Sequence, residues 1–424
     1  MATQPIQEVS TGAPASETTN NEYASKIRDS LTTIGIQSGD ILSLLNHGLS
    51  DFWIPMKQNS YPRILGPSQY DQFTNVQRQL VVSNFLIQPP SQWPGEHFSL
   101  STKGINHQTL MPTSLQYVEA ISHPQNNTLT DVTKMKQCGL GSNAPSYALK
   151  RIRRQHGVDY SAQMEQMNYI KGELSILRKL LDTPRRRHFV KLVASYTEED
   201  YVGMVMSPVA DCNLGKFLDD FHANGNRNPL LLQGFFGCLA WALARLHYAE
   251  KIRHKDIKPE NILIKDNNVL FTDFGISLDW SATGQTTTQQ EKSRTSTYCS
   301  PEFDDERPRN SKADIWSLGC VFLEMFAVLK GKSRSYVRDI LTEYGSPRFC
   351  RSLGGIEKLI NELGADGSPN NIPLTWIRDM LQRDSTLRPT AMELKDAING
   401  ADGYCAICCR GVDVFDGGAP AIQS

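Results

Sequence analysis

No stretch of about 18 uninterrupted apolar residues, the length a membrane-spanning helix requires, occurs in this chain of 424 residues. The most apolar segment, Ile315 to Leu329, is too short and carries Glu324, so it reads as a buried core helix. The opening MATQPIQEVSTGAP lacks both an apolar signal core and an Arg-rich amphipathic pattern, so neither export nor organelle import is expected. An excess of either charge is also missing. The net charge of -1 gives no basis for a nucleic-acid or membrane partner, and short basic runs such as Arg185–Arg187 read as solvated surface. Nine cysteines, an odd number, argue against a closed disulfide framework. Cys405, Cys408 and Cys409 (CAICC) contain one Cys-x-x-Cys pair with no second pair nearby. A zinc site needs about four ligands, so this cluster is not read as a metal site. A reduced, intracellular protein, cytoplasmic or nuclear, is the expectation. With 39% hydrophobic and 21% charged residues, the composition is that of a soluble globular chain long enough for a substantial core.

Residues 1–21 are rich in Thr, Ser, Gln and Pro, poor in large apolar groups, and expected to be disordered. Residues 22–115 form an extension of unassigned role. Within it Ile27, Leu31, Ile34, Ile41, Leu44 and Leu45 fit one or two short helices, and QLVVSNFLI is strand-like. From about Gln116, strand candidates DVTKMK, SYALKRI, FVKLVASYT and YVGMVM surround a helix candidate between Ser161 and Leu181. Met164, Met167, Leu174, Leu177 and Leu181 mark one face of that helix. After Pro208 helical patterns take over, notably Leu230–His247 and Lys312–Leu329. The expected fold is α+β and bilobal, with a cleft for ligands between a β-rich lobe (116–207) carrying one key helix and a larger helical lobe (208–398). Residues 399–424 return to a Gly/Asp/Cys-rich tail composition.

The decisive stretch is His254-Lys255-Asp256-Ile257-Lys258-Pro259-Glu260-Asn261, followed by Asp273-Phe274-Gly275. The intervening ILIKDNNVLFT predicts a hairpin, with Asp266, Asn267 and Asn268 supplying turn chemistry. Such a hairpin sets Asn261 beside Asp273, a pair of hard oxygen donors suited to Mg²⁺. Phosphoryl transfer needs charge neutralised on the phosphates and a group that orients the attacking hydroxyl, and this segment carries both.

HKDIKPEN and DFG resemble the catalytic and metal-binding loops of the serine/threonine protein kinase family. The resemblance covers roughly 116–398. It implies that Asp256 accepts the substrate hydroxyl proton, that Lys258 steadies the γ-phosphate of ATP, and that Asn261 and Asp273 hold Mg²⁺. Lys150 in Tyr-Ala-Leu-Lys is similar to the lysine that grips the α- and β-phosphates, with Glu173 as its partner. Met206 then borders the adenine pocket, and Val209 offers its backbone to adenine. Thr295 matches the threonine placed against Asp256 and Lys258, which implies protein substrates with Ser or Thr acceptors. Ser300-Pro301-Glu302, with Arg388 as its ion-pair partner, resembles the end of the activation segment, and Asp314 the brace of the catalytic loop. The stretch FVKLVASYTEEDYVGMVMSPVADCNLGKFL further resembles divergent kinases of filamentous fungi that carry N-terminal extensions.

Two positions depart from the family pattern. With Val132 at the valine of the phosphate-cradling loop, its glycine positions become Gln125, Asn127 and Thr130, so no glycine remains to let backbone N–H groups close on the phosphates. Weaker ATP binding is the expectation. Lys255 replaces the usual Arg and lacks its bidentate fork, which weakens any dependence on a phosphorylated activation loop. Thr286, Thr287, Thr288 and Ser293 read as a solvated loop rather than as regulatory sites. The expected function is Mg-ATP-dependent transfer to Ser/Thr of proteins. A pseudokinase serving as a nucleotide-binding or scaffolding module is the alternative, and a small-molecule kinase a distant third.

Overall fold

The structure is a computed structural model that describes residues 24–46, 49, 53, 69, 72, 73, 76, 96–99, 115–122, 129–137, 143–156, 160–181, 187–224, 228–281, 283 and 297–415. The N-terminal half holds helices α1 (Ser25–Thr33) and α2 (Ser38–Asn46), then strands β1 (Glu96–Ser99), β2 (Leu115–Ser122), β3 (Thr130–Gln137) and β4 (Ser146–Arg153). Helix α3 (Tyr160–Lys179), β5 (Lys191–Thr197) and β6 (Tyr201–Ser207) complete it. The strands form one six-stranded sheet in the order β1-β5-β6-β4-β3-β2. All four strand candidates of this half, and the helix expected between Ser161 and Leu181, are found as read. Met164, Met167, Leu174 and Leu177 are buried as the stripe predicts, while Leu181 packs at its margin. QLVVSNFLI lies outside the described residues.

The extension joins this half through both its helices and its strand. Ile27, Leu31, Ile41, Leu44 and Leu45 belong to the same apolar core as Leu174 and Leu177, and β1 pairs in parallel with β5. Arg154 locks the contact: Nη1 donates to Glu198 O at 2.8 Å and Nη2 to Trp53 O at 3.1 Å. Burial pushes the Arg154 guanidinium down to about 10, against the pull of the nearby Asp200, Glu199 and Glu198 carboxylates.

A short connection after β6 leads to β7 (Cys212–Asn213), α4 (Leu214–Asn224) and α5 (Pro229–Ala244). Asn228 caps α5, its side chain accepting from Leu230 N–H, with Pro229 preset at the first helical position. A π turn over Arg245–Ala249 continues the helix, and β8 (Ile252–Arg253) follows. The whole run Pro229–Ala249 is apolar and long enough to cross a bilayer by composition, yet 78% of its most apolar window is buried within the lobe. The hairpin is formed by β9 (Ile262–Lys265) and β10 (Asn268–Phe271), with β11 (Leu278–Asp279) beyond it. Its tight turn holds Asp266 and Asn267 at φ 47 and 61, the left-handed region that Asp and Asn tolerate. The remaining helices are α6 (Pro301–Asp304), α7 (Lys312–Leu329), α8 (Arg334–Glu343), α9 (Leu353–Gly364), α10 (Ile372–Met380) and α11 (Ala391–Asn399). Helix α7 is the buried core helix expected. Its Glu324 is neutralised by Arg334 Nε at 2.9 Å and receives the Tyr298 hydroxyl at 3.0 Å.

Tail composition was a misleading guide to residues 401–414. Tyr404, Cys405, Cys409 and Val414 are buried against α5. Gly237 N–H donates to Tyr404 O at 2.9 Å, Trp241 Nε1 to Val412 O at 3.0 Å, and Arg245 Nη1 to Val414 O. The segment's few large apolar groups fill gaps on a helix face that is itself apolar. The fold divides CAICC: Cys408 and Cys409 meet Cys238 of α5 and His188, while Cys405 stands apart from that group.

Arg154→Ala is expected to cost about 3 kcal/mol, since it strands buried carbonyls on both sides of the contact. Urea denaturation reads the cost. Limited proteolysis should clip the chain ahead of Leu115 faster than in the wild type, and an unchanged cleavage rate would rule out Arg154 as the lock.

Candidate functional site

The site gathers where the sheet, α3 and the β9–β10 hairpin meet. Lys150 lies on β4 opposite Val132 of β3 and Met204 of β6. Glu173, on α3 beside the apolar stripe, is carried inward with it and is 1% exposed. Lys150 Nζ lies 2.7 Å from Glu173 Oε1 and 3.0 Å from Oε2. The same ammonium reaches Asp273 Oδ1 at 3.0 Å. Burial disfavours the charge on Lys150, but Asp273 and Glu173 outweigh it and hold the ammonium above its ordinary range. Lys150 in turn holds the Asp273 carboxyl below its ordinary value, against burial. Burial pushes the Glu173 carboxyl up against the pull of Lys150, and the three groups together link β4, α3 and the segment after β10.

The backbone after β10 is bent to meet it. Asp273 has φ 62, and Phe274 turns its ring into the core 5.0 Å from the His254 ring. Gly275 follows where a Cβ would fall 2.0 Å from the Tyr169 hydroxyl of α3, so a larger residue here would have to displace the Tyr169 side chain. At the hairpin's other end, Thr272 N–H donates to Asn261 O at 3.1 Å, which puts the Asn261 and Asp273 segments side by side as expected.

Asp256 is held from two sides. Lys258 Nζ lies 2.7 Å from its Oδ2, and Asn261 Nδ2 donates to the same oxygen at 2.9 Å and to Asp256 O at 2.9 Å. A cleft lined by Lys255, Asp256, Cys299, Ser300 and Phe303 opens beside it. Beneath the loop, Asp314 of α7 accepts from His254 N–H and Lys255 N–H, both at 2.8 Å. Lys255 has φ 69, a strained geometry that these two bonds offset. His247, in the π turn after α5, adds a ring nitrogen at 2.9 Å. Burial opposes ionisation of Asp314, yet the His247 bond and charge outweigh it and hold the carboxyl down to about 2. His247 was absent from the sequence reading. Its one signal is a histidine at the end of an otherwise apolar helical run.

Arg388 and Glu302 form a buried bidentate pair at 2.7 and 2.8 Å, with the Arg388 guanidinium 5.1 Å from the Trp316 ring centre. Met206 is buried at the end of β6, and Val209 lies in the connection between β6 and β7. Thr130 opens β3. Gln125, Asn127, Thr286, Thr287, Thr288, Ser293 and Thr295 lie outside the described residues.

The donors at Asn261 and Asp273 fit Mg²⁺. Asn261 spends its amide nitrogen on Asp256 and Asp273 spends Oδ1 on Lys150, so each keeps a hard oxygen uncommitted to these bonds.

The family described as "Protein kinase domain" matches residues 131–397 of this chain. Among curated proteins, Serine/threonine-protein kinase 33 of Mus musculus is 27% identical over 267 residues, 59% of this chain and 48% of that protein. Serine/threonine-protein kinase nekl-2 of Caenorhabditis elegans is 29% identical over 166 residues, 37% of this chain and 44% of its own length. Serine/threonine-protein kinase 36 of Pongo abelii is 31% identical over 162 residues, covering 38% of this chain and 12% of that protein. The chain thus spans less than half the length of each of these relatives.

A carboxyl held from 3.8 down to about 2 contributes about 2 kcal/mol to folding at neutral pH. Because the folded value is the lower one, this stability is present above about pH 4 and disappears as pH falls toward 2. Asp314→Asn should therefore be less stable by about 2–3 kcal/mol at pH 7, with the gap to the wild type closing in acid. Urea titrations at several pH values test this, and a gap that does not vary with pH would rule out a charged brace.

Proposed function

This chain belongs to the protein kinase domain family, and from that premise we propose that it transfers the γ-phosphate of ATP to Ser or Thr hydroxyls of protein substrates. The observation that carries the reading is the Lys150 ammonium, engaged at once by Glu173 and Asp273 from opposite sides of the cleft. A lysine charged and centred in this way is placed to grip the α- and β-phosphates.

Asp256 is the group that orients the acceptor. Both its side-chain partners, Lys258 and Asn261, bond Oδ2, which leaves Oδ1 to accept from the incoming hydroxyl. The cleft beside Asp256, bordered by Ser300 and Phe303, is where the acceptor segment lies. Lys258 spans Asp256 and the transferred phosphoryl group, offsetting charge as the bond to the leaving oxygen weakens. Asn261 and Asp273 hold Mg²⁺, which when bound neutralises phosphate charge. Met206 borders the adenine, Val209 supplies its backbone polar groups, and Val132 covers the ring from β3. Thr295 belongs to the same proposal as the residue that favours Ser and Thr acceptors. An intracellular setting suits a chain in which none of the eight described cysteines is in a disulfide.

Labelled ATP with Mg²⁺ and a mixed Ser/Thr peptide library tests this directly. The wild type should transfer phosphate, and Asp256→Asn should lower kcat by about 10²–10⁴-fold while nucleotide binding is retained. Lys150→Met and Asp273→Asn should weaken the response to nucleotide as well. Transfer by Asp256→Asn at the wild-type rate would remove Asp256 from the chemistry, and no transfer by the wild type would overturn the enzyme reading.

A further inference from the structure

His188, Cys238, Cys408 and Cys409 bring one ring nitrogen and three sulfurs within 4.8 Å of one another, and three of the four side chains are buried. These residues play no part in the site described above. They come from three separate places: the turn before β5, the middle of α5, and the segment docked after α11. Among the described residues this is the one cluster of three or more such ligands.

The spacing is that of a metal's coordination shell. A tetrahedral zinc with Zn–S of about 2.3 Å and Zn–N of about 2.0 Å holds its sulfurs about 3.8 Å apart and its nitrogen about 3.5 Å from each sulfur. Cys238 Sγ lies 3.6 Å from Cys408 Sγ and 4.0 Å from Cys409 Sγ, and Cys408 Sγ lies 3.6 Å from Cys409 Sγ. His188 Nε2 is 3.0 Å from Cys409 Sγ and 3.8 Å from Cys408 Sγ. The three sulfurs are thus spaced nearly evenly, each too far from the others for a disulfide bond of about 2.0 Å.

The histidine is also prepared for the role. Its Nδ1 lies 2.9 Å from Val269 O, so the proton sits on Nδ1 and the Nε2 lone pair faces the sulfurs. Trp241 packs edge-on against the ring at 5.8 Å. Close approach of the docked segment is enforced at Gly237, where a Cβ would fall 2.6 Å from Tyr404 O and 2.8 Å from Cys405 Cα. By contrast, Cys299 and Cys350, 3.5 Å apart, gather no third such ligand among the described residues.

We propose that His188, Cys238, Cys408 and Cys409 form a structural zinc site that staples the C-terminal segment to α5 and to β10. All four tetrahedral positions are filled by protein, so the site has no open position for chemistry. Binding releases the three thiol protons and leaves the metal as Zn²⁺, with no redox change. Through His188 and Val269 the staple reaches the strand that leads into Asp273, so it steadies that end of the cleft.

The test uses the full chain, purified without added metal or chelator. Elemental analysis should give about one zinc per chain, and cobalt titrated into the chelator-stripped protein should give thiolate-to-cobalt charge transfer and tetrahedral visible bands. Cys409→Ser and Cys238→Ser should each drop zinc to below a tenth of the wild-type content, while Cys405→Ser, in the same segment but outside the cluster, keeps it. The stripped protein should also lose the wild-type resistance to proteolysis after Asn399. Should Cys409→Ser fail to fold, the cobalt spectrum of the wild type decides alone. Absence of both zinc and a tetrahedral cobalt spectrum, a disulfide found by mass within the cluster, or equal zinc loss in Cys405→Ser would each overturn the site.

Discussion

A single ammonium, that of Lys150, ties together three parts of the chain that lie far apart in sequence. It sits on a sheet strand, pairs with a helix residue 23 positions later and with a loop residue 123 positions later. Each partner is a carboxylate, and burial makes the charges costly to leave apart. The position of α3 against the sheet and the path of the chain after β10 are therefore coupled to one point. Gly275 and Tyr169 add to that coupling, since the Tyr169 side chain of α3 occupies the space a Cβ at position 275 would take.

The helical lobe has its own counterpart in Asp314. One carboxylate accepts two backbone N–H groups and a histidine, and so sets the loop that carries Asp256. Both anchors follow the same logic: a buried charge whose bonds are all spoken for fixes geometry better than apolar contact, which is indifferent to direction. Glu302 with Arg388, and Glu324 with Arg334, repeat it around Ser300-Pro301-Glu302.

The regions flanking the kinase match are built into the core rather than hung from it. The extension contributes apolar residues from α1 and α2, a parallel strand, and a carbonyl to Arg154. The segment after α11 covers α5 and carries two members of the Cys/His cluster. The extension reaches β5 through β1, and the C-terminal segment meets His188 just ahead of β5, whose ring bonds Val269 of β10, so both flanking regions touch the strands next to Asp273.

Much of this was legible in the residues. Short-range chemistry writes itself in order and spacing: Asp266-Asn267-Asn268 specify a turn because of their tolerance for positive φ, and the stripe from Met164 to Leu177 specifies a buried helix face. Asp256, Lys258 and Asn261 sit within one turn of chain, so their association needs no tertiary information. His247, the docking of 401–414 and the meeting of His188 with Cys238, Cys408 and Cys409 had no such local signature. Their partners lie 67, 171 and 221 residues away, and only the packing of α5 against its neighbours brings them within bonding reach. Sequence by itself determined which side chains can carry charge, most of the strands and helices, and the compact loop around Asp256. Tertiary structure alone decided which distant groups share a buried space, because burial is a property of the assembled core and not of any segment read along the chain.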